Sequence, residues 1–190
     1  SQGSADGRAG VGLVWMRRHD DVKARDAFET AIKMDGNVAM SYYGLGEIER
    51  RAGQYADAVE HYKRATELDR KFPDALMGYA DALAQLKRYD EASALLQPGL
   101  NWGKVKPRIL IALGNVEMAR DSLRDAGIYF TQAQQEAPDD PQTNRALGDF
   151  YLKRGIGSLA IPSYAKAVDL DSTDVELRYA LAKAYYYDSR

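Results

Sequence analysis

The chain of 190 residues contains no cysteine, only two histidines and only six prolines. Without cysteine there can be no disulfide, thiolate metal site or cysteine nucleophile. The two histidines, His19 and His61, have no second histidine, cysteine or paired acid at ligand spacing. Both therefore read as surface side chains, His19 in a turn and His61 on an exposed helix face. Neither sign of charge is in excess: 26 Lys and Arg are interspersed with 28 Asp and Glu, for a net charge of −2. A nucleic-acid-binding surface would show a basic stripe, so no nucleic-acid partner is expected. No apolar run approaches the roughly 20 residues that cross a bilayer. The opening SQGSADGRAG has no apolar signal core, and residues 1–4 read as a tag or linker remnant. Gly7-Arg-Ala-Gly10-Val-Gly12 has some spacing of a phosphate-binding loop, but no strand precedes it and no lysine follows in place. No serine, histidine and acid form a hydrolase signature. No catalytic, cofactor-binding or metal-binding residue is therefore assigned, and no enzyme activity is expected.

What is present is repetition. Gly53 to Asp69 and Gly155 to Asp171 share glycine, alanine, tyrosine, alanine, leucine and aspartate at matched places, at three times a 34-residue period. Sliding the chain against itself by 34 gives ladders without insertion or deletion. One is tiny throughout: Gly12, Gly46, Ala80, Gly114, Gly148 and Ala182. Another is alanine throughout: Ala24, Ala58, Ala92, Ala126 and Ala160. A third is bulky: Phe28, Tyr62, Leu96, Phe130 and Tyr164, followed by Ala31, Ala65, Gly99, Ala133 and Ala167. A further ladder, Val11, Leu45, Tyr79, Leu113, Leu147 and Leu181, is apolar or aromatic.

One unit shows the physics. Tyr42, Leu45, Gly46 and Glu49 lie at helical spacing, as do Ala58, Val59, Tyr62, Ala65 and Thr66. Between them Gly53 can end a helix in the left-handed conformation. Two helices and a short turn make an antiparallel pair whose apolar faces need stacked neighbours. Small Gly46 and Ala58 let the backbones approach, Tyr62 fills the remaining space, and Ala65 admits the next unit.

The period and ladders resemble the tetratricopeptide repeat over almost the whole chain. The fold class expected is all-α, a right-handed superhelical solenoid of antiparallel helix hairpins with eleven helices. The array runs as repeats 5–38, 39–72, 73–106, 107–140 and 141–174 and a partial unit 175–190. Gln97-Pro-Gly99 interrupts the third unit, so its second helix is expected to end or kink near Leu96, with Trp102 plugging the gap. Asp121 stands where a turn glycine is usual, Asp139-Asp140 reads as turn and cap chemistry, and Pro162 is placed near a helix start.

The resemblance implies a protein-binding scaffold whose first helices line a concave groove. By that geometry the groove includes Leu13 and Met16, then Tyr43, Glu47 and Arg50, then Met77 and Asp81. It continues with Ile111 and Asn115, then Arg145 and Asp149, then Tyr179 and Lys183. An extended peptide or amphipathic helix suits such a surface, although the same residues could instead pack on neighbouring first helices. The lysine, asparagine and arginine clamp of chaperone-binding members is absent from every window of three units. A second reading makes the chain the accessory segment of a larger enzyme or secretion or export machine. Tyr185, Tyr186 and Tyr187 mark an end that expects continuation, a partner or a second copy. Insertion-free units and the lack of cysteine suit a bacterial protein, cytoplasmic or periplasmic.

Overall fold

The computed structural model describes residues 3–189; Ser1 and Gln2 of the expected remnant lie outside them. The described residues form eleven α-helices and no strand. They divide between Leu96 and Gln97 into two compact units. The first holds α1 (Ala5–Arg17), α2 (Asp21–Met34), α3 (Ala39–Arg51), α4 (Tyr55–Leu68), α5 (Pro73–Gln85) and α6 (Tyr89–Leu96). The second holds α7 (Lys106–Ala119), α8 (Leu123–Glu136), α9 (Pro141–Lys153), α10 (Gly157–Leu170) and α11 (Val175–Asp188). The fold class is thus the all-α helix-hairpin solenoid that the 34-residue period predicts.

Helix starts follow from local chemistry. Ser4, Asp20, Asp140 and Asp174 each accept a backbone N–H from the first turn of α1, α2, α9 and α11, satisfying donors that the helix itself cannot. Pro73, Pro107 and Pro141 stand in the first turns of α5, α7 and α9, where a missing N–H is harmless. Pro162 differs from expectation: it lies inside α10, beyond the first turn, and removes one intrahelical bond there.

All five hairpins close in one way. His19, Gly53, Lys87, Asp121 and Gly155 have φ of 58°, 75°, 62°, 68° and 72°. In each case the next residue's N–H reaches back five positions, as Gln54 does to the Glu49 carbonyl at 2.9 Å and Ser122 to Glu117 at 2.8 Å. This is the Schellman closure, which satisfies the last carbonyls of the first helix.

The repeat ladders are the core. Ala24, Ala58, Ala92, Ala126 and Ala160 are all fully buried, as are Phe28, Tyr62 and Leu96, with Phe130 and Tyr164 at 1%. Each large side chain of this set removes roughly 1.5–3 kcal/mol worth of apolar surface from water. Phe28 lies between Gly12 of its own hairpin and Gly44 of the next: a Cβ would stand 2.5 Å and 2.2 Å from its ring. Tyr62 lies likewise between Gly46 and Gly78, at 3.0 Å and 2.7 Å. First helices touch in sequence, α1 with α3 and α3 with α5 in the first unit, and α7 with α9 in the second.

At the interruption α6 ends at Leu96, and 3₁₀ turns span Gln97–Asn101 and Gly103–Val105. The side chain over Gly99 is Ile109, 3.0 Å from a Cβ placed there. Trp102 is only half-buried, so the expected plug is supplied by Ile109, from the first helix after the break.

Candidate functional site

In the first unit the residues expected in the groove are largely engaged. Leu13 and Met16 are half-buried against the cluster around Phe28 and Leu45. Tyr43 wedges between Phe72 and Tyr62, with ring centroids 5.0 and 6.2 Å apart. Met77 is half-buried. Glu47 accepts a hydrogen bond from the Tyr62 hydroxyl. It also takes two from Arg50, from Nη2 at 3.0 Å and from Nε at 3.3 Å. The Arg50 guanidinium then reaches the Asp81 carboxylate at 3.6 Å, joining α3 to α5. Burial, reinforced by the Glu47 charge, pushes the Tyr62 phenol pKa far up, so it stays a donor. These residues form a connected polar strip over an aromatic core.

The second unit repeats the motif and adds a concavity. Tyr164 donates to Asp149 at 2.6 Å, and Arg145 lies 3.9 Å from the other oxygen of that carboxylate. Burial raises the Tyr164 pKa as well, with the Asp149 hydrogen bond adding to it. Ile111, Asn115, Arg145 and Asp149 meet around a concavity of about 300 Å³, closed at one side by Asp171, Asp174 and Leu177. Asp174 is held there by capping α11, and Asp171 by accepting from the Thr173 N–H and hydroxyl. Lys183 joins Asp149 and Tyr164 around a second concavity of about 430 Å³. Tyr179 lines neither and is 68% exposed.

His61 does not sit on an exposed face without a paired acid. It is half-buried, and its Nδ1 lies 2.6 Å from Oε2 of Glu49, a side chain only 6% exposed. Arg25 Nη1 approaches the other Glu49 oxygen at 3.5 Å. The pairing joins the two helices of one hairpin, α3 and α4, and spacing along a single helix cannot show it. His19 stands in its turn as expected. Among the described residues no three His, Cys, Asp or Glu are grouped to hold a metal ion. Among them, too, no helix is long and apolar enough to cross a membrane.

Comparison with known proteins gives the same architecture. A family model described as tetratricopeptide repeat matches residues 49–116. A second of the same description matches 22–71 and 111–175. A solved thermophilic protein of Thermus thermophilus superposes with a TM-score of 0.83 at 21% identity, covering 96% of this chain and all of that one. The Cut9–Hcn1 hetero-tetramer of the APC/C aligns with a TM-score of 0.75 at 20% identity, over 98% of this chain and 37% of that one. Superkiller protein 3 of Schizosaccharomyces pombe is 24% identical over 163 residues, 82% of this chain and 12% of its own length. The chain spans between about a tenth and a fifth of the length of the curated relatives it matches.

Proposed function

Because the chain belongs to the tetratricopeptide repeat family, whose members are generally protein-interaction scaffolds, we propose that it is a non-catalytic scaffold. It holds a peptide or helical segment of a partner protein on its first-helix face and so assists assembly of a complex. The observation that carries this reading is the concavity of about 300 Å³ where Ile111, Asn115, Arg145 and Asp149 converge. Its lining mixes apolar Ile111, Pro141, Ala146 and Leu177 with polar and charged side chains, the kind of site that can seat a side chain of an extended segment. That lining offers the Asp149, Asp171 and Asp174 carboxylates against the single Arg145 guanidinium, so a segment bearing lysine or arginine fits best.

The test is a selection of displayed random peptides on the wild-type chain, repeated on an Asn115→Trp, Asp171→Lys variant of unchanged helicity. Basic peptides recovered by the wild type and lost by the variant support the reading. Peptides recovered equally by both would overturn it. A second reading, an accessory segment of a larger machine, is favoured by the length of the curated relatives, of which this chain spans only about a tenth to a fifth. The two are compatible, since the scaffold would then work within a longer assembly.

A further inference from the structure

The two concavities of the second unit meet at one side chain. Asp149 lines both, the one of about 300 Å³ and the one of about 430 Å³. Their charges are opposite. In the first, the Asp149, Asp171 and Asp174 carboxylates outnumber the Arg145 guanidinium. In the second, the Lys153 and Lys183 ammonium groups face the shared Asp149. That carboxylate is already engaged: Tyr164 donates to one oxygen at 2.6 Å, and Arg145 lies 3.9 Å from the other. Both lysines are held in place. Lys153 Nζ donates to the Met118 carbonyl at 3.2 Å, which uses one of the three donors of an ammonium. Lys183 Nζ lies 5.9 Å from the Tyr187 ring centroid, a cation–π placement.

These slots stay open wherever they occur in the second unit. Lys183 and Tyr187 of α11 stand where α7 has Asn115 and Ala119, and where α9 has Asp149 and Lys153. Both α7 and α9 are packed by their own second helices and followed by further helices, yet all four residues are exposed. Neither a second helix nor a following repeat covers this side of a first helix.

Building on the scaffold reading, we propose that the segment held here is bipolar. It places a lysine or arginine in the first concavity and, three residues away, a glutamate or aspartate in the second. A segment basic throughout meets Lys153 and Lys183 and is disfavoured, so the pair of sites selects against it as well as for its partner. Distance sets the spacing. Leu177 of the first concavity and Lys183 of the second stand six positions apart on α11, about 9 Å along a helix. A chain of the polyproline type rises about 3.1 Å per residue and turns once in three residues, so i and i+3 stand about 9 Å apart on one side.

The probes are four capped peptides, too short to form a helix: Gly-Lys-Ala-Ala-Glu-Gly, and the same with glutamate replaced by alanine, with glutamate replaced by lysine, or with lysine replaced by alanine. Each is titrated onto the full chain at low salt, where exposed charges are least screened, and followed by two-dimensional NMR. The lysine–glutamate peptide is expected to bind about threefold to tenfold tighter than the lysine–alanine one, and the lysine–lysine peptide more weakly than either. Lys183→Glu in the chain should erase the preference for glutamate, and Lys183→Arg should keep it. Lys183 is exposed, so both variants keep the fold, checked by circular dichroism. Equal binding of the first three peptides overturns the proposal, and so does a preference that survives Lys183→Glu. If the lysine–alanine peptide then still loses affinity on Asp171→Lys, the basic-segment reading stands alone; if no peptide shifts the spectrum up to about 10 mM, both fall. A glutamate–alanine peptide that binds as tightly as the lysine–glutamate one also overturns it, by making the second concavity a site for any carboxylate. So do wild-type dimers in sedimentation that Lys183→Glu dissolves, by giving the trough to a second copy.

Discussion

The Tyr164 hydroxyl donates to the Asp149 carboxylate at 2.6 Å, and Tyr62 makes the same bond to Glu47 three repeats earlier. In both hairpins the aromatic of the second helix pins an acid on the first. Where the aromatic is phenylalanine the partner slot carries no acid: Leu13 stands opposite Phe28 and Asn115 opposite Phe130. Thus a carboxylate meets the ring where a hydroxyl is present to satisfy it. Tyr62→Phe is expected to cost about 1–2 kcal/mol, the range of a charge-assisted hydrogen bond at a partly shielded site. Urea denaturation measures it. Phe130→Tyr without an acid at 115 should bring no equal gain.

The same two phenols set an alkaline limit. Each is held protonated in the folded chain, with its pKa raised above the ordinary value near 10. The unfolded chain releases those protons near the ordinary tyrosine value of about 10, so their contribution is complete below about pH 10 and is lost as pH rises beyond it. Stability should fall by up to about 1.4 kcal/mol per pH unit for each tyrosine. Thermal melts at pH 9 to 12 read this, and Tyr62→Phe with Tyr164→Phe should flatten the slope.

Three of the five left-handed turn residues are not glycine: His19, Lys87 and Asp121. A left-handed L-residue costs roughly 1–2 kcal/mol, and glycine returns about 0.5–1 of this through unfolded-state entropy. Lys87→Gly should therefore stabilise the chain by about 0.5–1 kcal/mol, and Asp121→Gly by less because aspartate tolerates the region better. In reverse, Gly53→Ala should destabilise by about 1 kcal/mol, although nothing lies within 4 Å of the added methyl. Guanidinium denaturation of the three variants tests the order.

Small residues facing the aromatics are a packing requirement. Gly78→Ala would place a methyl 2.7 Å from the Tyr62 ring, and Gly44→Ala one 2.2 Å from that of Phe28. Both rings are fully buried and cannot move without displacing neighbours. Each change is expected to cost about 1–3 kcal/mol, as overpacking does, with Gly44→Ala the larger. A thermal shift reads both.

Much of this was legible in the residues. The alanine and aromatic ladders recur at one period, and their burial follows directly. Other relationships needed the folded chain. The Gly44 and Gly78 sandwich had a signal that could have been found: Gly10, Gly44, Gly78, Ala112, Ala146 and Ala180 are a second wholly small ladder. Tyrosine with an acid fifteen positions before it, at Tyr62 and Tyr164, was a further signal. The His61 and Glu49 pair had none, because the two residues lie on different helices and share no recurring pattern. The groove residues divided for a similar reason. Periodicity gives the face of a helix on which Tyr43 and Ile111 lie, but neighbouring rings and helix ends decide whether that face is packed or open.

By itself, the sequence determined the family, the helix order, the hairpin turns and the core, because each rests on local spacing repeated without insertion. Tertiary structure decided which polar groups meet. Glu47 with Tyr62, His61 with Glu49, and the carboxylates around Arg145 come together through the approach of separate helices, and only packed backbones fix those distances. It also decided how closely the small residues are approached: a Cβ at Gly44 or Gly78 would meet the ring of the preceding hairpin, whereas one at Gly10 would meet nothing. The same small side chain is core or surface according to whether an aromatic ring packs on it.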